Sequence, residues 1–391
     1  MLAPFDRPLF NRNLPASALV IRSRRVLLYA LLICIALLTA GFGPPKLVDR
    51  EFAATLRLTP GELRQWATAA EPPAVSAAAL IVYDVEAQRS LYARNAATAL
   101  PPASLTKLMT ALLALESGRL SEMVTVQEED LAGGATMGLA AGEEITVEEL
   151  LWGLLLPSGN DAALAMARHL GGDVPSFVAE MNLRATELGM DATVFRNPHG
   201  LHEEGHVSSA GDLIVLTLQL LEYPLFREIA GSRSAEIGGR ILINTNELLG
   251  RYPGVNGIKT GTTPEAGECL IAGILTGGHE ALILVLDSSD RYGDVERLHA
   301  LYRANYVWAE GDAERLSVLN RLYGVDGRLT PLAVQGEPAS VLLHRWGEPE
   351  LRGFRRIEQV AGDNMLETDA AGIMEWRVGD RVVDVQELAI R

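Results

Sequence analysis

Three short strings in this chain carry side chains that can act on a carbonyl group. The first is Ser104-Leu105-Thr106-Lys107, opening an apolar segment that reads as a buried helix to about Leu115 and closes at Gly118. A serine hydroxyl is a weak nucleophile until a base takes its proton. At helical spacing Ser104 and Lys107 stand one turn apart on a shared face. Burial among leucines depresses a lysine pKa. A shift from about 10.4 toward neutrality is about 3 units, or about 4 kcal/mol of disfavoured charge. Ser-x-x-Lys alone is a common string and a weak signal.

The second string is Ser158-Gly159-Asn160, directly behind Pro157. Here Ser158 can relay a proton, and the Asn160 amide can hold both Lys107 and a substrate carbonyl. In isolation the string also reads as an ordinary helix–helix turn with Asn160 as an N-cap. The third is Lys259-Thr260-Gly261-Thr262-Thr263. A cation and hydroxyls on a strand suit an anionic peptide end, and Gly261 lets a second backbone approach closely. Alone it also fits a solvated turn with one exposed lysine.

These strings must be positioned by the elements around them. Residues 79–84 and 90–94 read as a hairpin. Thr146-Val147-Glu148-Glu149 is a capping box that opens a second helix, ended by Pro157. Further helices are predicted over 161–169, 176–188 and 210–221, the last stopping before Pro224. Residues 268–275 and 280–286 form a second hairpin around Gly277-Gly278. It is apolar on both faces and therefore central. A helix over 294–308 follows. Strands at both ends with helices between predict an α/β (α+β) domain, an antiparallel sheet with an inserted helical region. From about Gly311 the pattern turns β-rich, as at 339–343 and 381–385.

The 391 residues are 48% hydrophobic, enough for one large domain and a smaller one. With 34 basic and 50 acidic residues the net charge is −16, which repels phosphate backbones and excludes nucleic acid as an expected partner. Cys34 and Cys269 are not expected to pair, and Cys269 reads as a small core residue. Residues 26–45 carry no charge, and Arg7, Arg12, Arg22, Arg24 and Arg25 precede them against a single Asp6. This predicts a cytoplasmic segment over 1–25 and a transmembrane anchor or signal over 26–43, read as an uncleaved anchor because no clear A-x-A site lies near 39–43, with everything after it on the far side of a membrane. A linker over 44–75 contains a capped helix start at Thr59-Pro60-Gly61-Glu62. The predicted main domain spans 76–310 and the β-rich one 311–391. His202-Glu203-Glu204-Gly205-His206 satisfies H-E-x-x-H, so a zinc peptidase is an alternative. That chemistry needs a helix. Pro198, Gly200 and Gly205 argue for a loop, with His199 structural, and no metal or organic cofactor is expected.

The three strings occur in order, and together they are the S-x-x-K, S-x-N and K-T-G set. With it the chain resembles the penicillin-binding proteins and serine β-lactamases. The S-G-N variant and the longer strings SLTKLMT, LLLPSGNDAA, NPHGL and GIKTGTTPEAGECL are similar to the D-Ala-D-Ala carboxypeptidases in particular. The resemblance covers residues 75–308 or so. It implies a serine β-lactamase-like fold and a peptidoglycan stem peptide ending in D-Ala-D-Ala as substrate. It also implies an acyl-enzyme on Ser104, and β-lactams as inhibitors. Lys107 is then the general base, Ser158 and Asn160 shuttle a proton and hold substrate, and Lys259 and Thr260 bind the terminal carboxylate. The amides of Ser104 and Thr262 form the oxyanion hole. Arg291, in SSDRYGD, falls where this family often has a carboxylate-binding arginine, though it also reads as a solvated loop charge. A β-lactamase of the same fold is a second alternative, and a non-enzymatic envelope protein a third. Many relatives end in an amphipathic membrane helix, whereas this chain ends in strand-like sequence.

Overall fold

The structure, a computed structural model, describes residues 73–311, 321–323, 329–345, 351–357 and 370–390. The apolar run over 26–43, the arginines before it, Cys34 and the helix start at Thr59 lie outside the described residues. No helix among the described residues is long and apolar enough to cross a membrane. The described residues fall into two compact units, one running to Glu310 and taking in 340–345, the other taking 311, 321–323, 329–339, 351–357 and 370–390.

The larger unit opens with the hairpin β1 (Ala79–Asp84) and β2 (Arg89–Arg94). A 3-10 turn over Ala103–Thr106 leads into α1 (Lys107–Glu116). Ser104 thus sits in the turn before the helix, not in its first α-turn. The short strands β3 (Met123–Thr125) and β4 (Glu144–Thr146) pair before α2 (Val147–Leu155). Thr146 and Glu149 close the expected capping box, the Thr146 hydroxyl accepting from the Glu149 amide at 3.1 Å. Next come α3 (Asn160–Gly171), α4 (Val174–Glu187) and α5 (Ala210–Leu221).

Two elements were not expected. Pro224 does not end the helical region. It occupies the first turn of α6 (Pro224–Gly231), where its missing N–H costs nothing. A hairpin of β5 (Ser234–Ile237) and β6 (Arg240–Ile243) follows, turning at Gly238 and Gly239, both at positive φ. Then come β7 (Val255–Thr263), β8 (Gly267–Thr276), β9 (His279–Ser288), α7 (Arg291–Asn305) and β10 (Tyr306–Glu310). The last helix starts and stops earlier than expected. Asp290 caps it by accepting from Gly293 N, and Tyr306-Val307-Trp308 favours a strand, which pairs with β13 (Ser340–His344).

The main sheet is antiparallel, in the order β2-β1-β9-β8-β7. Alternation along β8 divides the core. Cys269 and Ile271 face the cluster built on α1 to α6, while Leu270, Ala272 and Ile274 face Val295 and Leu298 of α7. The strands are apolar on both sides because helices cover both sides. Strand β7 is the edge of this sheet.

In the smaller unit β11 (Arg321–Tyr323), β12 (Leu329–Val334), β14 (Leu351–Ile357), β15 (Ala370–Val378) and β16 (Arg381–Ile390) make an antiparallel sheet in the order β11-β12-β16-β15-β14. Trp376 is buried on it and donates to Gln386 Oε1 at 2.6 Å. Of the β-rich texture read from Gly311 onward, residues 381–385 lie in this sheet, whereas 340–343 lie in β13 and pair with β10 in the larger unit.

Candidate active site

The fold brings the first two strings and the third to one place. Lys107 is the first residue of α1 and fully buried, whereas Ser104 in the preceding turn keeps partial exposure. Lys107 Nζ lies 3.0 Å from Ser104 Oγ, 2.8 Å from Asn160 Oδ1 and 2.7 Å from the His199 carbonyl. A neutral lysine has two N–H donors and one lone pair. The amide and the carbonyl can only accept, so they consume both donors and leave the lone pair for the Ser104 proton. Burial, and then the Lys259 charge, push the Lys107 pKa well below the ordinary lysine value, with Asp161 acting weakly against them.

Asn160 opens α3, but Gly159 holds the N-cap position, so Asn160 does not serve as the cap that its sequence position also allowed. Its side chain bridges instead. Oδ1 accepts from Lys107, and Nδ2 donates to the Gly133 carbonyl at 2.8 Å. The neighbouring Asp161 carboxylate accepts from Thr136 Oγ1 and from the backbone N–H groups of Met137, Gly138 and Leu139 at 3.0 to 3.1 Å. That anchors the 133–139 loop beside Asn160, a role the sequence reading did not assign.

Ser158 is buried at φ +64°, left-handed space that costs a non-glycine residue about 1–3 kcal/mol. Its Oγ has no hydrogen-bond partner among the described groups, so it is not joined to Lys107, Ser104 or Asn160.

The third string lies on edge strand β7. Gly261 packs against the turn that carries Ser104, where a Cβ would come 3.0 Å from the Ser104 amide nitrogen and 3.2 Å from the Pro102 carbonyl. Any side chain here would push the strand off Ser104. Lys259 is buried, donates to the Thr260 carbonyl at 3.1 Å, and has its pKa lowered to about 7 by burial and then by Arg291. Thr260 Oγ1 meets Thr245 Oγ1 at 2.5 Å. Arg291 is the first residue of α7, not a free loop charge. Its guanidinium donates to the Gly261 carbonyl at 3.1 Å and to Thr262 Oγ1 at 2.7 Å, while its buried Nε has no partner among the described groups.

The zinc alternative is contradicted by geometry. Residues 202–206 form a turn, with His202 exposed and His206 buried. Both ring nitrogens of His206 are engaged, Nδ1 by the Arg196 N–H at 3.0 Å and Nε2 by Thr106 Oγ1 at 2.7 Å. The glycine and the preceding proline break the helix that would put both rings on one face. The His199 ring, depressed to about 4 chiefly by burial, stays neutral beside Lys107.

A family model described as D-alanyl-D-alanine carboxypeptidase matches residues 66–290. A D-alanyl-D-alanine carboxypeptidase of Bacillus subtilis is 37% identical over 254 residues, which cover 59% of this chain and 65% of that protein. One from Mycobacterium tuberculosis is 36% identical, over 56% of this chain and 80% of its own length. The match thus spans a little under two thirds of the Bacillus protein. Among solved structures, a D-alanyl-D-alanine carboxypeptidase from Mycobacterium tuberculosis has a TM-score of 0.57 at 33% identity, covering 60% of this chain and 93% of its own. Penicillin-binding protein D2 from Listeria monocytogenes, in an ampicillin-bound form, has a TM-score of 0.54 at 33% identity, over 59% of this chain and 98% of that one. Penicillin-binding protein 5 from Haemophilus influenzae, 24% identical with a TM-score of 0.61 over 82% of this chain and 98% of its own, shares the fold.

Proposed function

Because the chain belongs to the D-alanyl-D-alanine carboxypeptidase family, we propose that it removes the terminal D-alanine of peptidoglycan stem peptides through an acyl-enzyme on Ser104. The observation that carries this reading is the buried Lys107 Nζ, 3.0 Å from Ser104 Oγ with two acceptors beside it, so that as a neutral amine it would turn its lone pair to the hydroxyl proton. Lys107 takes the hydroxyl proton as Ser104 attacks the carbonyl of the penultimate D-Ala. The amides of Ser104 and Thr262 receive the developing oxyanion. Ser158, with its unpaired hydroxyl, gives its proton to the leaving amine and takes up the one held by Lys107, which returns the lysine to its neutral form. Water then hydrolyses the acyl-enzyme. A β-lactam offers the same carbonyl, but its leaving nitrogen stays tethered, so the adduct persists.

Lys259, Thr260 and Arg291 hold the terminal carboxylate. Burying that anion beside Lys259 restores the lysine charge, and that charge in turn helps keep Lys107 neutral. The test is release of D-alanine from a peptide ending in Lys-D-Ala-D-Ala, beside the same peptide amidated at its terminus. Hydrolysis of the free acid, and little of the amide, is expected. Arg291→Leu is expected to raise KM for the acid about 10- to 100-fold, the worth of one charge-assisted pair, while barely changing the amide. Equal losses on both peptides would mean that Arg291 only props up β7.

The uncharged run over 26–45 and the arginines before it support an N-terminal anchor, with the catalytic unit outside the cytoplasm. Full-length protein is expected in the membrane fraction, resistant to high salt, and a chain beginning at Glu51 in the soluble fraction. Recovery of the full-length chain as a soluble protein would refute the anchor.

A further inference from the structure

Ala103, directly before the nucleophile, has φ +48°, a conformation that a β-carbon disfavours and the surroundings must enforce. Its carbonyl accepts from Thr106 Oγ1 at 2.8 Å in a buried contact. Thr106 Oγ1 lies 2.7 Å from His206 Nε2, and the Arg196 N–H donates to His206 Nδ1 at 3.0 Å. The direction of this chain is fixed. Nδ1 accepts, so the proton of the neutral ring sits on Nε2 and points at Thr106. The threonine proton is then left for the Ala103 carbonyl. The ring is 3% exposed and packed edge-on by Phe195. Burial lowers its pKa to about 4, which keeps it neutral.

Gly200 closes the other side, since a Cβ there would come 1.9 Å from the Ala103 oxygen. In a trans peptide the carbonyl and the following N–H point in opposite directions within one plane. Holding the Ala103 oxygen inward therefore turns the Ser104 N–H the other way. We propose that Thr106 and His206 are positioning residues. Their buried hydrogen-bond chain fixes the Ala103–Ser104 peptide plane and so aims the Ser104 amide at the oxyanion. The inference rests on the reading of Ser104 as nucleophile. It gives the buried threonine of the first motif, and a histidine of the discarded H-E-x-x-H string, a part in the reaction.

Thr106→Val keeps the shape and removes the hydroxyl, and Thr106→Ser returns it. In the full chain Thr106→Val is expected to lower kcat about 10- to 100-fold, part of the 10²–10³ that a whole oxyanion donor is worth. KM should stay within about twofold, and Thr106→Ser should recover most of the loss. A boronic acid analogue of the peptide places an oxygen where the oxyanion forms. Its affinity should fall in step with kcat, a split that a purely structural role would not produce. His206→Phe, which removes the donor facing Thr106 Oγ1, should lower kcat in the same direction with KM within about twofold, and it carries the comparison if Thr106→Val does not fold; a folded His206→Phe with parental kcat counts against the inference. A folded Thr106→Val with parental kcat, or one whose KM and boronate affinity worsen together, overturns the inference alone. A parent that neither releases D-alanine nor takes up penicillin defeats the Ser104 reading itself.

Discussion

Ser104→Ala is expected to lower kcat/KM for a D-Ala-D-Ala peptide by about 10⁴- to 10⁶-fold, the loss seen when an acyl-enzyme nucleophile is removed. The substitution deletes one oxygen from a partly buried side chain whose hydrogen-bond partner is Lys107. Lys107 keeps Asn160 and His199 as acceptors, so no buried group is orphaned and the melting temperature should move by a few degrees at most. D-alanine release and a thermal melt on the same preparation check both halves. A folded Ser104→Ala with substantial turnover would place the nucleophile elsewhere.

Lys107→Met is expected to slow acylation about 10²- to 10⁴-fold, the usual range for loss of a general base, without abolishing it. Ser104 remains, so a penicillin adduct should still form given hours rather than seconds. The same assignment fixes the sign of the pH dependence. Lys107 acts unprotonated, so parental kcat/KM should fall as pH drops through the Lys107 pKa. Burial and the Lys259 charge put that limb below the ordinary lysine value of about 10.4. Lys259→Met removes one of the two causes of the depression, so the Lys107 pKa rises and the acid limb of penicillin acylation should move to higher pH. A downward shift, or an unchanged limb, would show that another group titrates there. The two lysines interact, so the limb belongs to the pair rather than to either alone.

Much of this site is legible in the sequence because its chemistry lives in contiguous strings. Each string lies beside elements that the sequence declares, S-x-x-K by the apolar run closed at Gly118, S-G-N by the capping box at Thr146 and the proline at 157, and K-T-G by the apolar hairpin over β8 and β9 that follows it. Less legible is anything that depends on contact between distant segments. Nothing local marks the His199 carbonyl as a ligand for Lys107, or places His206 behind Thr106, because those contacts span 92 and 100 residues. The left-handed conformations of Ala103 and Ser158 are equally silent, since neither residue is a glycine and tertiary packing imposes both. The helix over 210–221 stops before Pro224 as expected, but the helix that Pro224 itself opens went unread for a different reason. Proline ends one helix and begins the next with the same ring, and only the residues after it decide which. The H-E-x-x-H string is the converse case, a pattern whose loop context, read from Pro198, Gly200 and Gly205, is what the structure shows.

The measurement that bears most directly on the whole account is intact-mass analysis of the full chain after exposure to benzylpenicillin, followed by peptide mapping. A single stable adduct is expected. It should have the mass of the whole antibiotic, because opening the β-lactam expels no fragment, and it should lie on the peptide containing Ser104. An adduct lost within seconds would point to a β-lactamase instead. No adduct on folded protein, or one on any residue other than Ser104, would contradict the acyl-enzyme mechanism.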